Sequence, residues 1–585
     1  MFKFDCLLGT IIIKEDGSKK LFQTWDTDVI KQFYLDYKND SIFVGWNNKF
    51  YDNLILEQIV RDKDPYEMSK RIINGEQVWS RLDICSYDAM NTGFGKQISL
   101  KLTELISGDS IDTTEVDFNL DRKLNEEEKK LTEKYNQSDL KKTLYNFEKV
   151  FDRFELRLGI IKEFNLNITK CLDMTGAQIA AEVLEVKKDS SLQFKPVKPK
   201  LYDSLTLKNK QALDFYLQEK FRIPDYSEEI KIGNAQLTLA AGGLHGAEKK
   251  IYCDKLLYLD VSGYYSLILL NFNLFSRSIS EEGKKKYRMM YDQQIALKTI
   301  DPDSPKRIQY KTITLSVFGS QGYENSAFYD PYICKLVPIT GELYLMDFME
   351  KIQHLCSFKN LNTDGAMLKP NSEEDEKEIL RILDEWLKKT KFVIKPKYIF
   401  NMYQRDVNCY VYQDEKGKIV TKGEAVKNFD YSDEAYASGE LFGAREASII
   451  AKGIVNYLLF DKSPEETVEE NKQDLRLFQY ACKKGSRKYM TYDITYLPSN
   501  SSASYQIQSP SRVFASNSNT QVGKINLHGI NKKSGLDSIS KYPSLPDNIF
   551  VYNGRIIDKY EELKDKIDWQ YYVNRIYEKA EKFIS

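Results

Sequence analysis

The sequence predicts a multidomain protein that combines α/β and α+β architecture. Its 585 residues are enough for three or four domains of about 150 residues each. A hydrophobic share of 42% beside 29% charged residues is typical of a folded globular chain rather than a disordered one. Strand-like and helix-like apolar spacings alternate in the N-terminal segment, which is typical of α/β domains.

The N-terminal third is expected to begin with strands and then become helical. We expect strands at 2–13, 19–23 and 41–46. Helices are expected at 27–36 and from Asn53 onward. Residues 99–165 are predicted to be largely helical. One helix there should follow Asn125, because the next three residues are Glu and acidic side chains stabilise the positive end of a helix.

The centre of the chain is predicted to be α+β. A basic, Pro-containing segment at 186–235 is expected to connect into it, followed by a buried strand at 256–260. Helices are expected next at 280–299, 305–319 and 372–389. Hairpins are expected at 358–368 and 408–425. The Ser- and Asn-rich segment 498–521 is predicted to be a loop.

Charge and composition exclude several classes of protein. The 85 Lys and Arg balance 86 Asp and Glu, so the chain is not a uniformly basic nucleic-acid coat, although a local basic groove remains compatible with this balance. Three His exclude a His-rich metal centre, and eight scattered Cys without close pairs favour neither a zinc ribbon nor a disulfide framework. No apolar run is long enough for a membrane span and the first residues lack a signal pattern, so we expect a cytoplasmic protein with no membrane partner.

Three segments carry residue types suited to phosphoryl transfer. Asp260 ends an apolar strand, Lys311 lies on a helix about 50 residues later, and Asp364 lies at a hairpin tip about 50 residues further on. Each alone fits a plain structural role: a strand end, a solvated Lys or a turn residue. Together, two carboxylates can hold two divalent ions while a Lys meets a triphosphate, and their order favours this chemistry.

These segments resemble motifs A, B and C of family-B DNA polymerases, in the form found in phage replication enzymes. The first matches as Asp260-Val-Ser-Gly-Tyr-Tyr265-Ser, and the third as Asn362-Thr-Asp364-Gly, where Asn362 replaces the first Asp of the family. The second matches at four positions, with Leu315 in place of Asn, namely Lys311, Ser316, Phe318 and Gly319.

The resemblance implies a right-hand polymerase with palm, fingers and thumb, and roles for individual residues. Asp260, Asp364 and Lys311 would be catalytic, with two Mg²⁺ or Mn²⁺ ions held by Asp260, Asp364 and the Val261 carbonyl. The incoming nucleotide would contact Tyr264, Tyr265, Arg288, Lys298, Lys311, Phe318 and Gly319. DNA would contact Gly242, Gly243, His245, Thr363, Arg405, Asn408, Tyr410 and Arg512, with Asn408 standing where the family has a Lys.

The N-terminal segments resemble the 3′–5′ exonuclease of the same family, which has an RNase H-like fold. The residues that would form its site, with ions of its own, are Asp5, Asn47, Asp52, Asp83, Tyr135 and Asp139. Leu7 stands where the family has a Glu. Because a two-ion site that loses a carboxylate binds its ions poorly, we expect weakened or absent proofreading.

The predicted domain order follows from this resemblance. We predict an exonuclease-like domain at 1–175 and a connection at 176–245. The palm is predicted at 246–285 and 326–400, with the fingers between its two parts at 286–325, and the thumb at 401–585. Residues 476–533 carry nine Lys and Arg against one acid, Asp493, so the thumb is predicted to bind the DNA backbone.

The predicted function is template-directed DNA synthesis on a primer, in phage-type genome replication. Partners would be primer-template DNA, deoxynucleoside triphosphates and replication accessory proteins. The short segment between Asp260 and Lys311 leaves no room for the second insertion of protein-primed relatives, so we expect extension of an ordinary primer. Two alternatives stay open, a DNA-binding protein with a decayed palm and a primase-like or RNA-templated polymerase.

Overall fold

A computed structural model describes residues 1–193, 205–208, 227–240, 243–443, 445–484, 489–517, 523–542 and 545–584. The chain forms two compact units. The split unit contains Met1–Ile161, Asn167–Asp173 and Lys427–Glu578. The central unit contains Lys162–Leu166, Met174–Val426 and Lys579–Ser585.

Each helix that the sequence pattern predicts is present, and further helices occur that it does not predict. In chain order, α1 to α9 are Thr27–Tyr37, Asp52–Val60, Pro65–Ile73, Leu100–Ser107, Glu126–Lys149, Phe151–Glu163, Ile168–Cys171, Gly176–Val183 and Tyr264–Phe272. Helices α10 to α18 are Glu281–Ile300, Pro305–Gly319, Ile333–Ile352, Glu373–Thr390, Asp433–Ala437, Ser448–Phe460, Pro464–Asn471, Tyr560–Leu563 and Trp569–Ile584.

The strands are shorter and more numerous than the sequence pattern predicts. Strands β1 to β10 are Leu8–Ile13, Lys19–Thr24, Ile42–Gly45, Cys85–Asp88, Ser227–Ile232, Ala235–Ala240, Gly243–Ala247, Ile251–Asp260, Cys356–Asn362 and Gly365–Pro370. Strands β11 to β20 are Lys397–Asp406, Cys409–Asp414, Ile419–Lys422, Tyr480–Cys482, Tyr489–Pro498, Tyr505–Gln506, Ser511–Ala515, Gly523–Asn531, Asp537–Lys541 and Ile549–Val551.

The central unit is built on one nine-stranded sheet. Its strand order is β13-β12-β11-β8-β10-β9-β7-β6-β5, and neighbouring strands run antiparallel. Strand β8 lies in the middle, between β11 and β10. A core of Cys253, Leu256, Met367, Ile399 and Met402 covers one part of the sheet. The predicted hairpins at 358–368 and 408–425 are confirmed as β9–β10 and β12–β13.

The predicted helix starts are confirmed where a capping residue marks them. Asn125 and Glu128 form a reciprocal capping box at the start of α5. The side chain of Ser280 accepts from the Gly283 amide at the start of α10, and Ser372 does the same for Asp375 at α13. Local hydrogen bonds therefore fix these three boundaries.

The split unit contains a seven-stranded sheet and two separate pairs of strands. Strands β1 and β2 pair antiparallel, and β3 and β4 pair parallel. Among the described residues these two pairs share no strand, so a single RNase H-like sheet is not formed and that prediction is not confirmed. The expected strand at 2–13 begins only at Leu8, and the expected loop at 498–521 contains the buried strand β17, so both expectations are wrong in part.

The core of the split unit joins residues that are far apart in sequence. Phe94, Leu105 and Val150 pack with Tyr436 and Phe442 in one buried cluster. The structure thus groups 427–578 with 1–161, whereas the predicted boundaries put an exonuclease-like domain at 1–175 and a thumb at 401–585. The functional labels of these segments stay predictions.

None of the helices in the described part of the chain combines the length and the apolar character that crossing a membrane would need.

Candidate functional site

Two carboxylates from distant segments meet at one end of the central sheet. Asp260 is the last residue of β8, and Asp364 lies in the turn between β9 and β10. Gly365 stands directly opposite Asp260 in the strand register. The Val261 amide donates to the Asp364 carbonyl at 3.0 Å. The sequence-predicted pair is therefore fixed by backbone pairing on both sides.

Gly365 allows this close approach of the two strands. A Cβ atom at Gly365 would lie 2.6 Å from the Leu259 carbonyl oxygen and 3.1 Å from the Asp260 Cα. Backbone atoms cannot move aside as a flexible side chain can. The Gly after Asp364, which the sequence alone leaves without meaning, is thus required by packing against β8.

The electrostatics around the pair favour a bound cation. Burial raises the pKa of Asp260, and the Asp364 carboxylate raises it further. The Tyr258 hydroxyl donates to Asp260 Oδ1 at 3.3 Å. Burial also raises the pKa of Tyr412 to about 12, with Asp260 adding to the shift. Two carboxylates that repel each other in a partly buried position are stabilised by positive charge.

The pair fits a Mg²⁺ site that is completed by substrate. No group of three or more His, Cys, Asp or Glu that could hold a metal occurs among the described residues. Mg²⁺ is usually bound through one or two carboxylates, several waters and substrate phosphates. Asp260, Asp364 and the Val261 carbonyl would supply protein oxygens of the right kind for it.

A cluster of cations lies near these carboxylates. Burial lowers the pKa of Lys298, and the charges of Lys395, Arg307, Lys397 and Lys311 lower it further. The charge of Lys397 also acts on Asp260, where it opposes the rise in pKa. None of these five cations forms an ion pair with a carboxylate in the part of the chain that the structure describes. We call them the basic cluster.

The aromatic residues predicted to contact the nucleotide lie between helices α9 and α11. The ring of Tyr265 stacks on that of Phe318, with centroids 4.0 Å apart. Tyr264 is buried, and its hydroxyl has no hydrogen-bond partner among the described residues. Gly319 ends α11. Arg288 on α10 donates to the Leu270 carbonyl at 3.3 Å, so its guanidinium is partly engaged by the protein itself.

Several residues predicted to contact DNA gather beside Asp364. Thr363 is buried, and its hydroxyl accepts from the Leu244 amide at 3.3 Å. A Cβ at Gly243 would lie 2.7 Å from His245 Nε2 and 2.8 Å from Thr363 Oγ1. Gly243, His245 and Thr363 therefore pack against one another. Gly242 lies outside the described residues.

The segment after β11 places its three predicted residues differently from one another. Arg405 donates to Asp406 at 2.8 Å, which neutralises it. Asn408 is exposed in the turn between β11 and β12. Tyr410 is buried and stacks with Tyr412, with centroids 5.9 Å apart. Only Tyr410 lies close enough to the two carboxylates for Asp364 and Asp260 to raise its pKa, after the larger effect of burial.

The prediction that Arg512 contacts DNA is wrong. Arg512 is 0% exposed, and its guanidinium donates to Gln479 Oε1 at 2.8 Å and to the carbonyls of Leu105, Asp109 and Gly554 at 3.0, 2.8 and 2.5 Å. Burial lowers the pKa of Arg512 to about 10. This side chain spends four of its five N–H donors inside the split unit, and its full burial keeps it away from a phosphate in solvent.

The basic stretch at 476–533 is less available for DNA than its composition suggests. Arg476 pairs with Asp474 at 2.8 Å, and Lys484 lies 3.5 Å from Asp493. Lys483 donates to the Phe442 carbonyl at 2.7 Å. Residues 487 and 488 lie outside the described part of the chain. Several of these charges are therefore used within the protein.

Two of the exonuclease-like residues meet on helix α5. Asp139 pairs with Lys101 of α4 at 2.8 Å, and the Lys101 ammonium lies 4.6 Å from the Tyr135 ring centroid. Lys101 also pairs with the buried Glu104 at 3.2 Å. Burial raises the pKa of Glu104 to about 7. Sequence analysis missed Lys101 and Glu104.

Asp52 lies within electrostatic range of this group. Desolvation raises the pKa of Asp52 to about 6, Asp88 and Asp139 add repulsion, and the N-terminal ammonium opposes the rise. Asp52 itself is exposed to solvent, in the first turn of helix α2. Asn47 has a left-handed backbone, with φ 63°, and its amide donates to Asp88 Oδ1 at 3.1 Å.

The structure does not bring Asp5 and Asp83 into the same group. Asp5 accepts from the Leu124 amide at 2.9 Å through its Oδ2. Asp83 is exposed in the segment before β4. The predicted set is therefore only partly assembled, and Asp88, which sequence analysis did not select, is buried beside Asn47.

Sequence analysis also missed three of the five residues of the basic cluster, namely Arg307, Lys395 and Lys397. Lys395 and Lys397 flank Pro396 just before and at the start of β11, and Lys397 pairs with Tyr258 in the register of β8. A pair of Lys at the start of β11 indicates a basic site near Asp260 once β11 is known to pair with β8. Using this signal requires the strand order. That order comes only from the folded sheet.

Sequence comparison adds no family assignment. No protein-family model matches the chain, and no curated protein matches it. Among solved structures, the chain is similar to the family B DNA polymerase from the hyperthermophilic archaeon Pyrobaculum calidifontis. That similarity has a TM-score of 0.41 and 14% identity, over 98% of this chain and 74% of that chain. At this TM-score the similarity is weak and establishes neither a shared fold nor a phage origin.

Proposed function

We propose that this protein is a template-directed DNA polymerase that extends a primer 3′ end by two-metal phosphoryl transfer. The observation that carries the proposal is the Asp260–Asp364 pair with the basic cluster around it. Adjacent carboxylates suit divalent ions, and unpaired cations suit a triphosphate. A protein that only binds DNA has no use for a repelling carboxylate pair beside its cations.

The protein groups would divide the work of the reaction. Asp260, Asp364 and the Val261 carbonyl would hold two Mg²⁺ or Mn²⁺ ions, which polarise the attacking hydroxyl and the phosphate when bound. Lys298 and Lys311 would bind and neutralise the triphosphate, with Lys311 protonating the leaving pyrophosphate. The Tyr265–Phe318 stack would have to open, or bind the sugar at its edge, as the nucleotide enters.

Phage-type replication of a genome in the cytoplasm, with accessory proteins, is part of the same proposal. Its support is the motif order in the sequence and the connection between Asp260 and Lys311. That connection consists of α9, α10 and the start of α11. Helices α10 and α11 with the turn between them would form the fingers without a further insertion, which favours ordinary primers.

Primer extension tests the proposal directly. The wild type should extend a labelled DNA primer on a DNA template with deoxynucleotides and Mg²⁺. Asp364→Asn and Asp260→Ala should each abolish extension and leave DNA affinity within a few-fold. The matched control is Asp254→Asn, since Asp254 lies on the same strand β8 but is exposed and pairs with Lys369 at 3.2 Å. It should keep full activity.

Each other outcome points to one alternative. Tight DNA binding without extension by the wild type would favour the decayed-palm protein. Extension with ribonucleotides, or on RNA templates only, would favour the primase-like or RNA-templated enzyme. Full extension by Asp364→Asn would refute the site assignment.

We also propose that the exonuclease-like group is weak or inactive. Leu7 in place of Glu supports this, because one carboxylate of the expected set is then missing. Asp5 accepts from the Leu124 amide through its Oδ2, which occupies part of a second carboxylate. Incubation with 3′-labelled single-stranded DNA and Mg²⁺ should give little degradation. Rapid degradation that Asp52→Ala abolishes would show the opposite.

A further inference from the structure

Lys422 carries a positive charge on the Asp364 side of the candidate site. It is the last residue of β13 and stands directly opposite Tyr410 of β12. Its ammonium lies 5.6 Å from the Tyr410 ring centroid and donates to Asn362 Oδ1 at 3.4 Å. Asn362 ends β9, two residues before Asp364. Three strands therefore fix the position of this ammonium.

The charge of Lys422 has no carboxylate partner among the residues that the structure describes. Within the described ranges, no Asp or Glu lies at ion-pair distance from it. The side chain is half-buried, and its charge lowers the pKa of His245, adding to the larger effect of burial. A half-buried ammonium that contacts only an amide and an aromatic ring is incompletely compensated. It is well suited to an anion that arrives with the ligand.

Lys397 of the basic cluster and Lys422 lie on different strands of the central sheet, β11 and β13. Lys397 of the basic cluster acts on Asp260, whereas Lys422 contacts the strand that leads into Asp364 and acts on His245, which also senses Asp364. In primer extension two groups of phosphates approach the metal ions. One is the triphosphate of the nucleotide, and the other is the primer backbone that ends in the attacking hydroxyl.

We propose that Lys422 binds a backbone phosphate of the primer strand near its 3′ end and so positions the attacking hydroxyl. This inference rests on the proposed polymerase function. Asn408 stands where a Lys would be expected and is exposed, while Lys422 reaches the same aromatic residue, Tyr410, from the neighbouring strand. The positioning cation is thus supplied by β13 instead of the turn before β12.

Substitution of Lys422 should separate primer binding from nucleotide binding. Lys422→Ala should raise the Kd and KM for primer-template about tenfold, as expected for the loss of one charge-assisted contact, and leave the KM for deoxynucleotide within twofold. The slope of log Kd against log salt should fall by about 1. Lys422→Arg should restore most of the affinity. The matched control is Lys418→Ala, since Lys418 is exposed in the same hairpin and should change nothing.

A neutral backbone linkage identifies the strand that Lys422 contacts. For the wild type, a primer with methylphosphonates at its last three linkages should bind about tenfold more weakly than the normal primer. For Lys422→Ala, the modified and the normal primer should bind equally well. Methylphosphonates in the template strand should weaken both proteins equally. Thermal melting of each variant checks that folding is unchanged.

The possible failures are distinguishable. If the losses of affinity from Lys422→Ala and from primer methylphosphonates add, Lys422 does not contact that phosphate and the inference is overturned. If methylphosphonates in the template strand weaken binding by the wild type but not by Lys422→Ala, Lys422 contacts the template strand, which also overturns the inference. If the wild type binds primer-template but does not extend it, the proposed function fails, while the binding comparison still tests the contact.

Discussion

Gly365 shows how much of the candidate site depends on one missing methyl group. Gly365→Ala would bring a Cβ to 2.6 Å from the Leu259 carbonyl oxygen, so the β9–β10 turn must move away from β8. We expect a loss of about 1–3 kcal/mol in the free energy of unfolding. Primer extension should fall more than stability does, because Asp364 moves with the turn. Urea denaturation and extension assays on the same variant measure both.

A second glycine provides the control for this prediction. A Cβ at Gly322 would meet only the Cys334 Cβ at 3.9 Å, which is ordinary contact. Gly322→Ala should therefore behave as the wild type in both assays. Wild-type extension by Gly365→Ala would mean that the turn position is not critical for the reaction.

Arg512 illustrates a charged residue with a structural role. Arg512→Met leaves the carbonyls of Leu105, Asp109 and Gly554 without their donor in a buried position. We expect a loss of about 3–5 kcal/mol in the free energy of unfolding of the split unit. Arg512→Lys should be nearly as unfavourable, because one ammonium cannot reach acceptors arranged around a planar guanidinium.

The control for Arg512 is an exposed cation of the same sheet. Lys524 lies on β18 and is exposed, so Lys524→Met should change the free energy of unfolding by less than about 0.5 kcal/mol. Urea denaturation followed by circular dichroism compares the two. Equal stability of Arg512→Met and the wild type would contradict the structural role.

At the scale of elements, a titrating group, Glu104 of α4, lies where helices α4 and α5 face each other. Burial raises the pKa of Glu104 to about 7, above its unfolded value of about 4.3. The folded state then holds more protons than the unfolded state between these two values, so this group's contribution to stability is complete below about pH 4 and is lost as the pH rises to about 7. We expect Glu104→Gln to flatten the fall in stability over that range. Urea midpoints at a series of pH values measure it.

An exposed Glu of the neighbouring helix α5 separates this effect from a general change in charge. Glu127 is exposed, and Glu127→Gln should leave the pH profile of the urea midpoints unchanged. If Glu104→Gln and the wild type have parallel profiles, then Glu104 does not take up a proton in this range and its pairing with Lys101 controls its charge instead.

Sequence reasoning located helices better than strands because helix boundaries are local. The caps at Asn125 and Ser372 lie within four residues of the amides that they bind. Strand β17, by contrast, lies in a Ser-rich segment, and its partners β14 and β20 are more than 25 residues away on either side. Nothing near Arg512 in sequence indicates that its acceptors are Leu105 and Asp109.

The same reasoning explains what was predicted of the candidate site. Asp260 and Asp364 were found because each ends or follows an apolar run, and strand ends meet at a sheet edge. Lys397 and Lys422 were missed because their relevance depends on which strands neighbour β8 and β12. The order of strands in an antiparallel sheet is a nonlocal property, set by packing of the whole unit.

At the scale of the whole molecule, the near-neutral net charge of −1 conceals an uneven distribution. The central unit carries, near a carboxylate pair, Lys422 and the basic cluster, whose cations form no ion pair within the described part of the chain. The basic stretch of the split unit, which the composition made prominent, is partly consumed by Asp474, Asp493 and backbone carbonyls. Nucleic-acid binding should therefore depend more on the central unit than the composition suggests.

The split unit is built from two chain segments that should not fold separately. The Tyr436 hydroxyl donates to Asn146 at 2.7 Å, and the Ile111 amide donates to the Asn553 carbonyl at 2.8 Å. Arg512 adds its bonds to Leu105 and Asp109. We expect fragments 1–173 and 427–585 to be unfolded or aggregated when expressed singly, because each alone exposes half of a shared core.

Co-expression of the two fragments should yield a soluble complex of one copy of each. A purification tag on fragment 1–173 should retain fragment 427–585, and sedimentation should give the mass of the pair. Arg512→Met in the second fragment should weaken this association at least tenfold, since it leaves buried carbonyls of the first fragment unsatisfied, whereas Lys524→Met should not. A monomeric, cooperatively unfolding fragment 1–173 would instead mean that the N-terminal segment contains a complete core, and that the shared cluster of Phe94, Leu105 and Tyr436 is an interface between two independent folding units.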